Sequence, residues 1–112
     1  MADFPRQGEI FFARLPEETK ERPTLVVSIN ARNQFGNSIL VVPLTTNPRP
    51  APTHVSLSAG EGGLPLASVA RCENVTTLPK SLLTRGPLGV ALSTVRMKEI
   101  VLAVVRAMGG LS

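Results

Sequence analysis

The stretch SILVVPL, residues 38–44, followed by Thr45, Thr46 and Asn47, decides how this chain folds. Apolar residues run through it without alternation, so it reads as a strand covered on both faces rather than one with a wet side. It ends near Pro43. Upstream, residues 30–37 (NARNQFGN) hold four Asn or Gly residues and Phe35 and read as a turn-rich connection. Before it, TLVVSI at 24–29 reads as a second strand, with Pro23 ahead of it at a position where no ladder donor is lost. EIFFARL at 9–15 is a first strand, again apolar on both faces.

Downstream, residues 45–52 (TTNPRPAP) carry Pro48, Pro50 and Pro52. Each fixes φ and restricts its predecessor, which predicts a semi-rigid extended loop. HVSLS at 54–58 alternates as a strand with one wet face does, placing His54 on that face. AGEGGLP then predicts a flexible glycine turn, and Ser68–Val75 a fifth strand. Leu78–Leu83 suits one helical turn with Pro79 in its first position, and Gly86–Leu92 a short final strand.

Ser93 can cap a last helix in which Met97, Val101, Val104, Val105 and Met108 fall on one stripe and Gly109-Gly110 ends the run. A single helix stripe needs a sheet to cover. The expected fold is therefore mostly β: a small curved barrel of five to seven strands with a C-terminal α-helix packed on it, residues 1–112 forming a single domain.

Composition narrows the chemistry. Twelve Lys and Arg against eight acids give a net charge of +4, suited to a phosphate-rich or acidic partner. One cysteine, Cys72, and one histidine, His54, leave no internal disulfide and no soft-metal ligand set. Cys72 reads as a core filler. The start MADFPRQGE lacks the apolar core of a signal peptide, and no stretch is long and apolar enough to span a membrane, so a cytoplasmic protein is expected.

A nuclease works with carboxylate-held magnesium, with a histidine acid–base pair, or with fixed cations and neutral donors. The acids, Asp3, Glu9, Glu17, Glu18, Glu21, Glu61, Glu73 and Glu99, are scattered, without the strand-end grouping that holds a hard cation. A lone histidine cannot be both base and acid, and no nucleophile elbow or phosphate loop occurs. What remains is Arg22 just before strand two and Thr45-Thr46 just after strand three. If those strands are antiparallel neighbours, these residues face one patch. An arginine before proline is otherwise an ordinary solvated residue, and threonines before a proline-rich loop are ordinary turn caps.

Taken together, GEIFFARL, ERPTLVVS, ILVVPLTTN, PTHVSL, GEGGL, SVARCENVTTLPKSLL and LSTVRMKEIVLAVV resemble the MazF/PemK family of toxin–antitoxin toxins over about residues 7–108. The most specific pieces are the R-P-x-L-V-V-S and V-P-L-T-[TS]-N motifs. The resemblance implies an SH3-like barrel, a homodimer, an antitoxin partner and metal-independent, sequence-selective cleavage of single-stranded RNA such as mRNA, with no cofactor. It places the family's catalytic arginine and threonine at Arg22 and Thr45. The reaction implied is attack of a 2′-hydroxyl on the adjacent phosphate, leaving 2′,3′-cyclic phosphate and 5′-hydroxyl ends. Arg22 would act as charge stabiliser or proton donor, since a guanidinium is too weakly acidic to serve as base.

RNA contacts implied by the family fall on Thr46 and Asn47 and on the segment Glu73, Asn74, Val75, Thr76, Thr77, with Glu73, Asn74, Thr76 and Thr77 as the binding residues. Two features depart from the pattern: the PEETKE segment is short, and Thr76 stands where a basic residue is customary. The chain also has no Trp or Tyr for base stacking, leaving Phe4, Phe11, Phe12 and Phe35. Two alternatives stay open: a CcdB-like gyrase poison, which needs no Arg22–Thr45 pair, and a catalytically weakened antitoxin-binding module. In each case an acidic, partly disordered antitoxin is the expected protein partner.

Overall fold

The computed structural model describes residues 4–16 and 18–110. Asp3 and Glu17, two of the scattered acids, and the ends of the expected 1–112 domain lie outside them. The elements in chain order are β1 (Ile10–Ala13), β2 (Arg22–Val26), α1 (Asn30–Phe35), β3 (Ser38–Thr45), β4 (His54–Leu57), β5 (Ser68–Arg71), β6 (Thr76–Pro79), β7 (Leu83–Arg85) and α2 (Thr94–Ala107). Every pairing is antiparallel, and the order β4-β5-β3-β2-β1-β7, with β6 also on β3, gives seven strands in one sheet. The mostly-β architecture with a C-terminal helix is as expected, but the pairing path does not close a barrel.

β3 is the hub because it is covered on both faces. Val42 and Leu44 join Ile10, Leu25, Leu57, Ala70 and Cys72 in one core, over which Ile100 and Ala103 of α2 close. Ile39 and Val41 point the other way, into a second core with Phe11, Ala13, Leu15, Val26 and Leu78. Unbroken apolar runs in EIFFARL and SILVVPL are what two-sided burial requires.

Several local expectations are corrected. Residues 30–35 form helix α1, not a loop: Asn33 is fully buried, its amide donates to the Ser28 carbonyl at 2.9 Å, and its side-chain oxygen pairs with the Ser28 hydroxyl, which accepts from Leu40 N–H at 3.0 Å. The asparagine that suggested a turn is thus an internal tie, and β2 ends at Val26, leaving Val27, Ser28 and Ile29 outside it. Val75 is likewise outside β5, which ends at Arg71 and gives way to a 3-10 turn over Cys72–Asn74.

The last strand is β7 at Leu83–Arg85, preceded by a 3-10 turn at Lys80–Leu82, and Gly86–Leu92 is irregular. The AGEGGLP turn is close-packed rather than loose. Gly62 is buried with φ +60, and a Cβ there would stand 2.5 Å from Ile10 Cδ1.

Helix α2 has the expected ends. Ser93 Oγ accepts from Arg96 N–H at 3.1 Å, and Gly109 and Gly110 take positive φ beyond its C-terminus. Its buried stripe is rotated from the expected one. Ile100 and Ala103 are buried and Met97 and Val104 pack beside them, while Val101 and Met108 are exposed. Apolar residues surround most of this helix, so periodicity alone does not choose the face; the small Ala103 lets the backbone approach the sheet. Arg96 then pins α2 to the glycine turn through Glu61 at 2.8 and 2.9 Å. No helix among the described residues is long and apolar enough to cross a membrane.

Candidate active site

β2 and β3 are antiparallel neighbours with Thr24 opposite Pro43. Carried two residues past that pair, the register runs toward Arg22 on β2 and Thr45 on β3, and Thr45 pairs with Val69 of β5. Arg22, Pro23, Leu44, Thr45, Thr46 and Ser68 line a cleft of about 210 Å³. Arg22, Thr45 and Thr46 thus border one hollow, as the antiparallel arrangement of β2 and β3 requires.

Each polar group there has a defined state. Arg22 Nε lies 2.9 Å from Glu18 Oε1, and both side chains are part-exposed. Thr45 Oγ1 accepts from Asn47 N–H at 3.2 Å, which fixes the hydroxyl oxygen and leaves its proton available to an acceptor in the cleft. Thr46 and Asn47 are exposed, and of the two Thr46 lines the hollow. Among the described residues no three His, Cys, Asp or Glu side chains gather as a metal site would need.

Glu73 does not line this cleft. Its Oε1 accepts from Thr53 Oγ1 at 3.0 Å, its Oε2 lies 2.9 Å from His54 Nε2, and Arg71 Nε is 3.6 Å away, an ion-pair distance too long for a hydrogen bond. Burial alone would raise the Glu73 pKa, but the His54 hydrogen bond, a backbone N–H and Thr53 outweigh it and hold the carboxyl below its ordinary value. Asn74 and Thr77 are exposed and Thr76 half-buried, on the turn and strand that run beside Ser38–Val41 of β3. The sequence-predicted RNA residues thus fall into two groups: Thr46 and Asn47 follow the end of β3, while Thr76 and Thr77 pair with Val41 and Leu40, the nearer about 13 Å back along the strand from Thr45, and Glu73 and Asn74 lie on the turn before them.

A model of PemK-like, MazF-like toxins of type II toxin-antitoxin systems matches residues 6–108. The chain belongs to this family. Two curated MazF-family relatives, endoribonuclease MazF1 of Mycobacterium bovis and endoribonuclease MazF4 of Mycobacterium tuberculosis, are each 34% identical over 76 residues, 68% of this chain and 68% of theirs. A solved endoribonuclease in complex with its cognate antitoxin from a mycobacterial species superposes with TM-score 0.80 at 30% identity, covering 94% of this chain and 95% of that one. MazF of Deinococcus radiodurans, at 18% identity and TM-score 0.81 over 96% and 99% of the two chains, shows the shared fold.

In this MazF/PemK-family toxin, sequence reasoning missed three side chains. Ser68 enters the cleft because β5 lies beside the end of β3, and only the three-dimensional register brings it there. Glu18, passed over among the scattered acids, pairs with Arg22; its position four residues ahead was the available signal. His54 was expected on a wet surface, yet its side chain is only 10% exposed. The Arg49 carbonyl pairs with Nδ1 and Glu73 with Nε2, so it ties the proline-rich loop to the 72–74 turn.

Proposed function

We propose that this MazF/PemK-family toxin is a metal-independent endoribonuclease that cuts single-stranded RNA at the Arg22–Thr45 cleft and is neutralised by an antitoxin. The observation that carries the assignment is that Arg22 of β2 and Thr45 of β3 line one hollow. The relatives' endoribonuclease names and the neighbour solved with its antitoxin support it.

The chemistry follows from the groups present. In the 2′-hydroxyl attack, the O2′–P bond forms as P–O5′ breaks; one proton leaves the 2′-hydroxyl and one is taken up by O5′. The products are a 2′,3′-cyclic phosphate and a 5′-hydroxyl. Charge grows on the non-bridging oxygens in the transition state. Arg22 meets it with a planar fork of donors, and Thr45, its oxygen already held by Asn47 N–H, turns its proton to one of those oxygens. Displacing Glu18 from Arg22 is the local cost of taking up the phosphate.

Thr46 and Asn47 sit where flanking phosphate or sugar would pass, and Asn74, Thr76 and Thr77 form the second group available to base edges. Glu73 serves there as an acceptor held in place by His54. The partner proteins are an acidic antitoxin and a second copy of the chain in a homodimer. The exposed apolar side chains Val95, Val101 and Leu102 of α2, with Met108 at its C-terminal cap, are surface for such association.

The test is incubation of the purified protein with a long single-stranded RNA in EDTA, followed by mapping of the ends. Discrete cuts with cyclic-phosphate ends are expected. Uncut RNA across many sequences favours the binding-module alternative, and cleavage that needs magnesium overturns the mechanism.

A further inference from the structure

Ala13 at the end of β1 pairs with Arg22, whereas Phe11 and Glu9, two and four residues earlier, line a separate cavity. With Arg6, Lys80 and Leu83 they enclose about 390 Å³, and small-molecule sites run from about 300 to 1,000 Å³. Neither Arg22 nor Thr45 lines it.

Its charged side chains are held in place. Glu9 N–H donates to the Arg6 carbonyl at 3.0 Å, and Glu9 Oε1 accepts from Arg6 N–H at 2.8 Å, so the turn that carries both charges is closed twice. Gly8 N–H and the Gln7 amide, each donating at 2.8 Å to the carbonyls of Val26 and Val27, tie that turn to the end of β2. Lys80 Nζ donates to the Asn33 carbonyl at 2.9 Å, which fixes the ammonium and leaves it two donors. The Arg6 guanidinium carbon lies 4.9 Å from the centre of the Phe4 ring.

The ion pairs among the described residues join Arg22 to Glu18, Glu73 to His54 and Arg71, and Arg96 to Glu61 and Glu99. Arg6, Glu9 and Lys80 belong to none of them. Two other cavities of similar size lack such a set. The one beside Met97 and Val101 has Lys98 as its one charged residue, and the one between β4 and α2 holds Arg96 already taken up by Glu61 and Glu99.

Two unpaired cations call for an anion. A carboxylate beside them disfavours a purely acidic ligand such as an acidic peptide, because Glu9 accepts hydrogen bonds and donates none. The rings of Phe4, Pro5 and Pro87 in the wall suit a flat group. A nucleotide supplies all three features: a phosphate, a planar base and N–H donors on the base edge. Guanine sets N1–H and N2–H side by side, which matches the two oxygens of one carboxylate, and Glu9 Oε2 is not used within the turn.

We propose that the cavity between Arg6, Glu9 and Lys80 is a guanine-nucleotide site, with the phosphate on the two cations and the base edge on Glu9. The ligand chemistry is the same for a free guanosine phosphate and for a guanosine within single-stranded RNA. The site is independent of the cutting reaction at Arg22 and Thr45.

The probe is guanosine 5′-monophosphate titrated calorimetrically into the full chain, with adenosine 5′-monophosphate and inorganic phosphate for comparison and melting curves as the folding control. The guanine nucleotide should bind about fivefold or more tighter than the adenine one, the lower end for a two-point contact to a base edge. Glu9→Gln keeps an oxygen for Arg6 N–H and should bring the two nucleotides within about twofold of each other. Arg6→Ala should weaken both about tenfold, the loss of a charge-assisted hydrogen bond, and keep the preference for guanine. Arg22→Ala should bind the guanine nucleotide as the wild type does.

The source is read by competition with two short 2′-O-methyl RNAs that differ in one internal position, guanosine or adenosine. Displacement at lower concentration by the guanosine strand alone assigns the site to RNA, and displacement by mononucleotides alone assigns it to a free nucleotide. Equal affinity for both nucleotides and phosphate, no binding of the guanine nucleotide, or binding that Arg6→Ala and Glu9→Gln leave unchanged would overturn the site. Loss of binding in Arg22→Ala would place the nucleotide in the catalytic cleft and overturn it too. None of these results bears on whether the protein cuts RNA in EDTA, so the two readings fail separately.

Discussion

Arg22 Nε lies 2.9 Å from Glu18 Oε1, so the guanidinium at the cleft is faced by a carboxylate. The pair is part-exposed, and such pairs are worth only about 0.2–1 kcal/mol. A phosphodiester, whose single negative charge is shared over two oxygens that match the guanidinium fork, can displace it. Glu18→Gln removes the competing charge, and RNA binding is expected to tighten about two- to fivefold, with the same ends produced. Titration of an uncleavable RNA against both proteins checks this. A rate loss of about tenfold or more with binding unchanged would instead make Glu18 a group that the reaction itself needs.

Removing the guanidinium is expected to be far more damaging than freeing it. Arg22→Ala should cut about 100- to 1,000-fold more slowly, the usual loss of a donor aimed at developing charge. Arg22→Lys should fall between, keeping charge without the fork. The measurement is single-turnover cleavage with protein in excess. Growth arrest by Arg22→Ala that matches the wild type would remove the ribonuclease mechanism and favour the gyrase-poison alternative.

Thr45 is held by Asn47 N–H, and its role needs only the hydroxyl. Thr45→Ser should therefore retain cleavage within about tenfold, while Thr45→Val should lose about 100-fold or more. Equal losses in both variants, with unchanged melting, would show that the methyl group and packing matter rather than the proton.

The strands and the last helix were legible because their signals are redundant: SILVVPL is apolar on both faces, and Ser93 and Gly109-Gly110 bracket a periodic segment. The Arg22–Thr45 meeting was legible from topology, since antiparallel neighbours bring the start of one strand beside the end of the next. Helix α1 was not, because Asn33 serves a buried tie to Ser28, and an asparagine's local preference for turns hides that use. His54 was misread for a similar reason. Alternation shows which face a residue takes but not that the Arg49 carbonyl and Glu73 come back to cover it. Ser68 carries no local signal; only the three-strand register brings it to the cleft.

Cys72 is fully buried in the core beneath α2, and burial, with a smaller contribution from the Glu73 charge, pushes its thiol up to about 11. The thiolate is the reactive form, so the native protein should react with a disulfide reagent at neutral pH only as fast as it opens. Reaction should become immediate in denaturant. Rapid stoichiometric labelling of the folded protein would contradict the packing of this residue in the core.

The last expectation concerns acid. Glu73 has its folded pKa depressed because the hydrogen bonds from His54, the backbone and Thr53 overcome the opposing effect of burial. A carboxyl depressed in the folded state adds stability above its unfolded pKa, about 4.5, and that contribution is lost as pH falls through the folded value. Glu61 is depressed as well, by the Arg96 hydrogen bond against the cost of burial, and behaves with the same sign. Thermal midpoints measured from pH 6 to pH 3 should therefore fall in the wild type, with Glu73→Gln showing a shallower fall and a lower midpoint at pH 6. Because Glu73 and His54 join the 72–74 turn to the proline-rich loop, that variant should also loosen the loop at pH 6, visible as faster amide exchange around Arg49. Identical pH slopes for the two proteins would show that the carboxylate does not hold the loop through its charge.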